Sequence, residues 1–66
     1  MEILVNGQPR TAGDDLTVAD LVAQLGLAGK RLAVEVNRDI VPRGEHAARV
    51  LREGDRIEII HAIGGG

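Results

Sequence analysis

The chain has 66 residues, a formal net charge of −2 and a sequence pI near 5.5, with no cysteine and no phenylalanine, tryptophan or tyrosine. That length holds one domain with a small core. The missing cysteines exclude disulfides and thiolate metal sites, and the acidic balance without aromatic platforms argues against a nucleic-acid surface. No apolar run approaches the ~20 residues that cross a bilayer, and Met1-Glu2-Ile3 lacks the basic start of a signal peptide, so a soluble cytoplasmic protein is expected, with no membrane partner.

Met1 to Val5 alternates, with Met1, Ile3 and Val5 on one side, as in a strand with one buried face. Asn6-Gly7 then signals a tight hairpin, because both residues tolerate positive φ. Gln8 to Ala12 is the return strand, and Pro9, which cannot donate to a ladder, assigns it to an edge. After the Gly13-Asp14-Asp15 loop, Thr17 and Asp20 stand at capping-box spacing, with Asp in place of the usual Glu. Leu16 is placed to staple to Leu21. Val18, Leu21, Val22 and Leu25 share one helical face, and Gly26 followed by Leu27 is a helix stop.

Arg31 to Val36 is the next strand, with Leu32, Val34 and Val36 on one face and Ala33 and Glu35 on the other. Asn37-Arg38-Asp39 turns into a short strand, Ile40-Val41, which Pro42 stops. Gly44 to Arg49 is weakly patterned and permits one helical turn. Val50 and Leu51 return to the core, and Glu53-Gly54-Asp55 is a turn with a positive-φ glycine. Arg56 to Ala62 is the last strand, with Ile57, Ile59 and His61 alternating with Glu58, Ile60 and Ala62.

One helix on one face of a mixed sheet of about five strands is an α+β arrangement. With a hairpin first and a long return through the helix, the first and last strands lie side by side in the middle. This is the β-grasp, or ubiquitin-like, order. Residues 1–63 form the domain. Residues 64–66 are expected as a flexible tail, since a glycine run cannot pack and is costly to order. Three extended residues reach roughly 10 Å. The tail's α-carboxylate, ionised at neutral pH, is suited to attack an activated phosphate; a frayed end without a role is the other reading of the same residues.

No catalytic set stands out. Serine and cysteine are both absent. His46 and His61 are far apart, and His61 reads as a half-buried strand residue. Asp14-Asp15 reads as support for the helix N-terminus rather than a cation site. Gly26-Leu27-Ala28-Gly29-Lys30 lacks phosphate-loop spacing and follows a helix. The arginines at 38, 43, 49, 52 and 56 read as solvated surface. If Ile57 and Ile59 face the helix, then Leu4, Ala33, Glu35, Glu58, Ile60 and Ala62 share the open face of the sheet. Apolar residues rimmed by acids suit docking on a partner with basic edges, although single exposed aliphatics are ordinary on small proteins.

Several segments resemble the ThiS sulfur carriers of thiamine biosynthesis, small relatives of ubiquitin. They are Asn6-Gly7, Thr17-Val18-Ala19-Asp20-Leu21, Ala33-Val34-Glu35-Val36-Asn37, Ile40-Val41-Pro42-Arg43, Glu53-Gly54-Asp55-Arg56-Ile57-Glu58-Ile59 and Ile63-Gly64-Gly65-Gly66. Two positions depart from the pattern: Gly44 stands for a frequent serine and His46 for a frequent tryptophan, both read as surface. The resemblance implies a carrier, not an enzyme, that binds no metal or cofactor itself. A ThiF-type adenylyltransferase would use ATP and magnesium to adenylate the Gly66 carboxylate. A protein persulfide would supply sulfur, leaving a thiocarboxylate, and a ThiG-type thiazole synthase would take that sulfur. Gly64 and Gly65 would thread the partners' channels. Two alternatives stay open: the small subunit of molybdopterin synthase or another sulfur carrier with the same tail chemistry, and a non-catalytic ubiquitin-like interaction domain.

Overall fold

The computed structural model describes residues 1–61; Ala62, Ile63 and the expected tail Gly64-Gly65-Gly66 lie outside the described residues. The order is β1 (Glu2–Val5), β2 (Gln8–Thr11), α1 (Val18–Gln24), β3 (Leu32–Val36), β4 (Asp39–Val41), a 3-10 turn (Arg43–Glu45) and β5 (Arg56–His61). The sheet runs β2-β1-β5-β3-β4. β1 and β5 are parallel and interior, while β3 pairs antiparallel with both β5 and β4. The expected β-grasp order is therefore present, and Pro9 lies on the edge strand.

Local chemistry sets the turns. Asn6 and Gly7 both take positive φ, 50° and 81°, as a two-residue hairpin with right-handed strand twist requires. Gly54 sits at 81° in the turn before β5. At the end of α1 the Leu27 N–H donates to Val22 O and the Gly26 N–H to Ala23 O, both at 3.0 Å, the paired bonds of a Schellman stop.

The start of α1 is closed completely. The Thr17 side chain accepts from the Asp20 N–H and the Asp20 carboxylate accepts from the Thr17 N–H, each at 3.1 Å. The two remaining orphan donors, Val18 N–H and Ala19 N–H, go to Arg49 O and His46 O, each at 3.0 Å. The segment after β4 reads as weakly patterned because its work is to cap another element.

The core lies between α1 and one face of the sheet. Val18, Leu21, Val34, Val36, Ile3 and Ile57 are at most 2% exposed. Each such burial contributes roughly 1.5–3 kcal/mol before conformational entropy is subtracted.

Three expectations need correction. His46 is not a surface residue: it is 8% exposed, with Nε2 3.0 Å from Val41 O. It caps the C-terminal end of the 3-10 turn, and from there its ring reaches the Val41 carbonyl. His61 is exposed rather than half-buried. Val50 is 41% exposed, and it meets Thr17 in an isolated bridge while Leu51 alone enters the core.

Candidate functional site

The sheet face away from α1 gathers the expected docking residues. Alternation puts Leu4 of β1, Glu58 and Ile60 of β5, and Ala33 and Glu35 of β3 on that side. The register makes Ala33 face Ile60 and Glu35 face Glu58 across the β3–β5 pair. Leu4 and Glu35 are half-buried, Ala33 and Glu58 are exposed, and Ile60 is 53% exposed. Ala62 falls outside the described residues.

Reading down the face from the end of β5, an apolar pair comes first and a pair of carboxylates second. Like charges directly opposite each other in a sheet are unfavourable. Arg38 and Arg56 line the same recess as Glu35 and Glu58, so the chain's own guanidinium groups stand near that pair.

Two residues of this face escaped the sequence reading. Ile40, 69% exposed, pairs with Glu35 and so shares the open side. Arg56 pairs with Leu4 and lies beside Glu58. The two-residue turn Asn37-Arg38 sets the Ile40 register, since it puts Val36 opposite Asp39. A turn counted as three residues hides it.

The end of β5 is the other part of the site. β5 is the middle strand, laddered to β1 on one side and to β3 on the other. It delivers His61, opposite Leu32, immediately before the closing residues. Beside it, Arg31, Arg43 and His61 line a recess of about 400 Å³ with Leu32, Ala33 and Ile60. The Arg43 guanidinium donates to Lys30 O at 2.6 Å, tying the loop after α1 to the segment after β4. Arg43 was read as solvated surface; its exposed side chain in fact clamps a carbonyl.

Among the described residues no helix is long and apolar enough to cross a membrane. Among the described residues no cluster of His, Cys, Asp or Glu could hold a metal.

These features define a β-grasp domain of the ubiquitin-like class, with β5 as the middle strand of its sheet. The chain matches the ThiS family over residues 3–66 and belongs to it. It is 35% identical to the sulfur carrier protein ThiS of Escherichia coli over the full length of both. It is also 46% identical to a thiazole synthase of Magnetococcus marinus, of whose length it spans only 20%. Its fold superposes on the crystal structure of the thiamine biosynthesis protein ThiS from Geobacter metallireducens with a TM-score of 0.85, at 32% identity over the whole of both chains.

Proposed function

We propose that this chain is a sulfur carrier of thiamine biosynthesis, working in the cytoplasm, with the Gly66 carboxyl as the carrying group. A carboxylate is a poor acyl donor and must be activated. The Gly66 carboxylate oxygen attacks the α-phosphorus of ATP, held with magnesium by a ThiF-type adenylyltransferase, and pyrophosphate leaves. The terminal sulfur of a protein persulfide then attacks the acyl carbon of the mixed anhydride and displaces AMP. That leaves an acyl disulfide; a thiol, from the donor protein or a small-molecule reductant, then attacks the donor-side sulfur, the S–S bond breaks with formation of a new disulfide, and the carrier is released as a thiocarboxylate, which thiazole synthase consumes. Gly64 and Gly65, lacking side chains, suit passage through a narrow channel. The open face around Ala33, Ile60, Glu35 and Glu58 docks the partners. The chain itself supplies no catalytic group and acts as a carried cosubstrate.

The observation that carries this reading is the family match over residues 3–66, on a fold whose doubly laddered middle strand leads into the closing glycines. The relative in which an equivalent segment makes up one fifth of a thiazole synthase supports that enzyme as the acceptor.

The test compares the full chain with a variant lacking Gly66. Carrier purified from its native host should carry a fraction heavier by the mass of sulfur minus oxygen. The truncated chain should not be adenylated by the host's ThiF-type enzyme, while its unfolding midpoint should match that of the full chain. Adenylation of the truncated chain would end the proposal.

A further inference from the structure

Backbone polar groups in a sheet must all find partners, so the two sides of β5 can be followed residue by residue. Towards β3, the ladder is complete from Ile57 to His61, paired with Val36 to Leu32. Towards β1 it is not. The β1–β5 register stops at Val5 and Ile57. On that side Leu4 N–H donates to Asp55 O at 2.9 Å and Asn6 N–H to Ile57 O at 2.8 Å. The last bond is made by a side chain: Asn6 Oδ1 accepts from Ile59 N–H at 2.7 Å. There the chain turns away through Gly7 into β2. Since alternate residues of a strand point their N–H and C=O to alternate sides, Ile59 C=O and His61 N–H face the same way as those of Ile57. Among the described residues nothing meets them. β5 therefore outruns β1, and its last residues are an edge in an otherwise interior strand.

We propose that this half-edge, Ile59–His61 on the β1 side, is a strand-addition site filled by an extended backbone segment of thiazole synthase. The inference rests on the sulfur-carrier reading above. An acceptor followed by a donor at strand spacing is matched by another backbone and poorly by side chains. The neighbouring hairpin tip is open at Gly7, where an added Cβ would meet no atom within 4 Å. The hairpin also borders a recess of about 450 Å³ walled by Val5, Pro9, Leu25 and Leu27, to which Asn6 contributes. Pairing here would hold the described end of β5 at Ile59–His61 from both sides.

Proline at residue 61 deletes the N–H that faces the gap and leaves the β3-side bonds of Ile60 in place. Affinity for the host's thiazole synthase would be measured by titration calorimetry for His61→Pro against His61→Ala, which loses the same imidazole but keeps the N–H. Leaving the partner's carbonyl unmatched is expected to weaken binding roughly five- to hundredfold relative to the alanine variant, with equal unfolding midpoints. In the wild-type chain, exchange of the His61 amide should slow on adding the synthase. Equal affinities of the two variants, or an unaltered exchange rate in a complex that does form, would overturn the strand-addition site and leave the carrier reading standing. So would protection of that amide by self-association without the synthase. Absence of any complex with the wild-type chain would overturn both.

Discussion

Removal of the His46 ring tests how the tail-bearing sheet is held to its helix. His46 acts through two groups. Its backbone C=O accepts from Ala19 N–H at the start of α1, and its side chain reaches Val41 at the end of β4. A carbonyl only accepts, so Nε2 carries the proton. In His46→Ala, Val41 O loses its donor at a residue only 3% exposed, which costs about 1–3 kcal/mol. The vacated volume adds roughly 1–2 kcal/mol, less than the ~3–5 kcal/mol of a Phe→Ala change because imidazole is smaller. A domain of this size has a total stability of roughly 3–10 kcal/mol, so the loss is a large share of it. The midpoint of thermal unfolding should fall by about 15–35 °C. Urea unfolding must be followed by far-ultraviolet circular dichroism, as the chain has no tryptophan or tyrosine. His46→Leu fills most of the space without a donor, and His46→Gln restores a donor with poorer packing, so the pair separates the two effects. An alanine variant within about 0.5 kcal/mol of wild type, the size of an ordinary surface change, would refute the strut.

Thr17→Ala should cost about 1 kcal/mol, since the Asp20 N–H loses its Oγ1 acceptor while the Thr17 backbone N–H keeps the Asp20 carboxylate; Asp20→Ala removes that second bond, and because the two bonds hold one another in place the double variant should cost less than the two separate losses combined, as read by a double-mutant cycle in urea. Gly54→Ala should cost about 1–2 kcal/mol from the backbone alone, because φ is 81° yet an added Cβ would touch nothing within 4 Å; Gly54→Asn should recover part of this, and equal midpoints for all three would contradict a left-handed turn. Glu58→Lys converts a like-charge pair with Glu35 into an opposite one and should raise stability by about 0.5–1 kcal/mol at low salt while weakening docking to thiazole synthase; a gain in both would remove the carboxylate pair from the docking face.

Most of the fold was legible because its signals are local. Asn6-Gly7 names its turn, Pro9 its edge, and Thr17 with Asp20 its helix start, each within four residues. What escaped depends on partners distant in sequence. His46 sits in a segment with no periodicity because it serves Val41 and Ala19 from outside their elements. Ile40 escaped because the turn before it uses Asn37 and Arg38 at φ 52° and 73°, and arginine in that region advertises nothing. Arg43 looks like any solvated cation until the loop carbonyl of Lys30 is brought to it.

The misreading of His61 reaches furthest into function. Alternation states correctly that His61 points to the same side as Ile57 and Ile59, which are buried. It does not state that anything lies there. The side chain is exposed because it stands beyond the cover over Ile57 and Ile59, and on the β1 side the hairpin has already turned away at Gly7. A strand that ends under cover could not hand its continuation to another enzyme. One that outruns its neighbour β1 can do so while its lower half, with Ile57 at 1% exposure, keeps it anchored. On the sulfur-carrier reading proposed above, the exposed end of β5 is therefore the point from which a stable aliphatic body would present its carboxyl to other proteins.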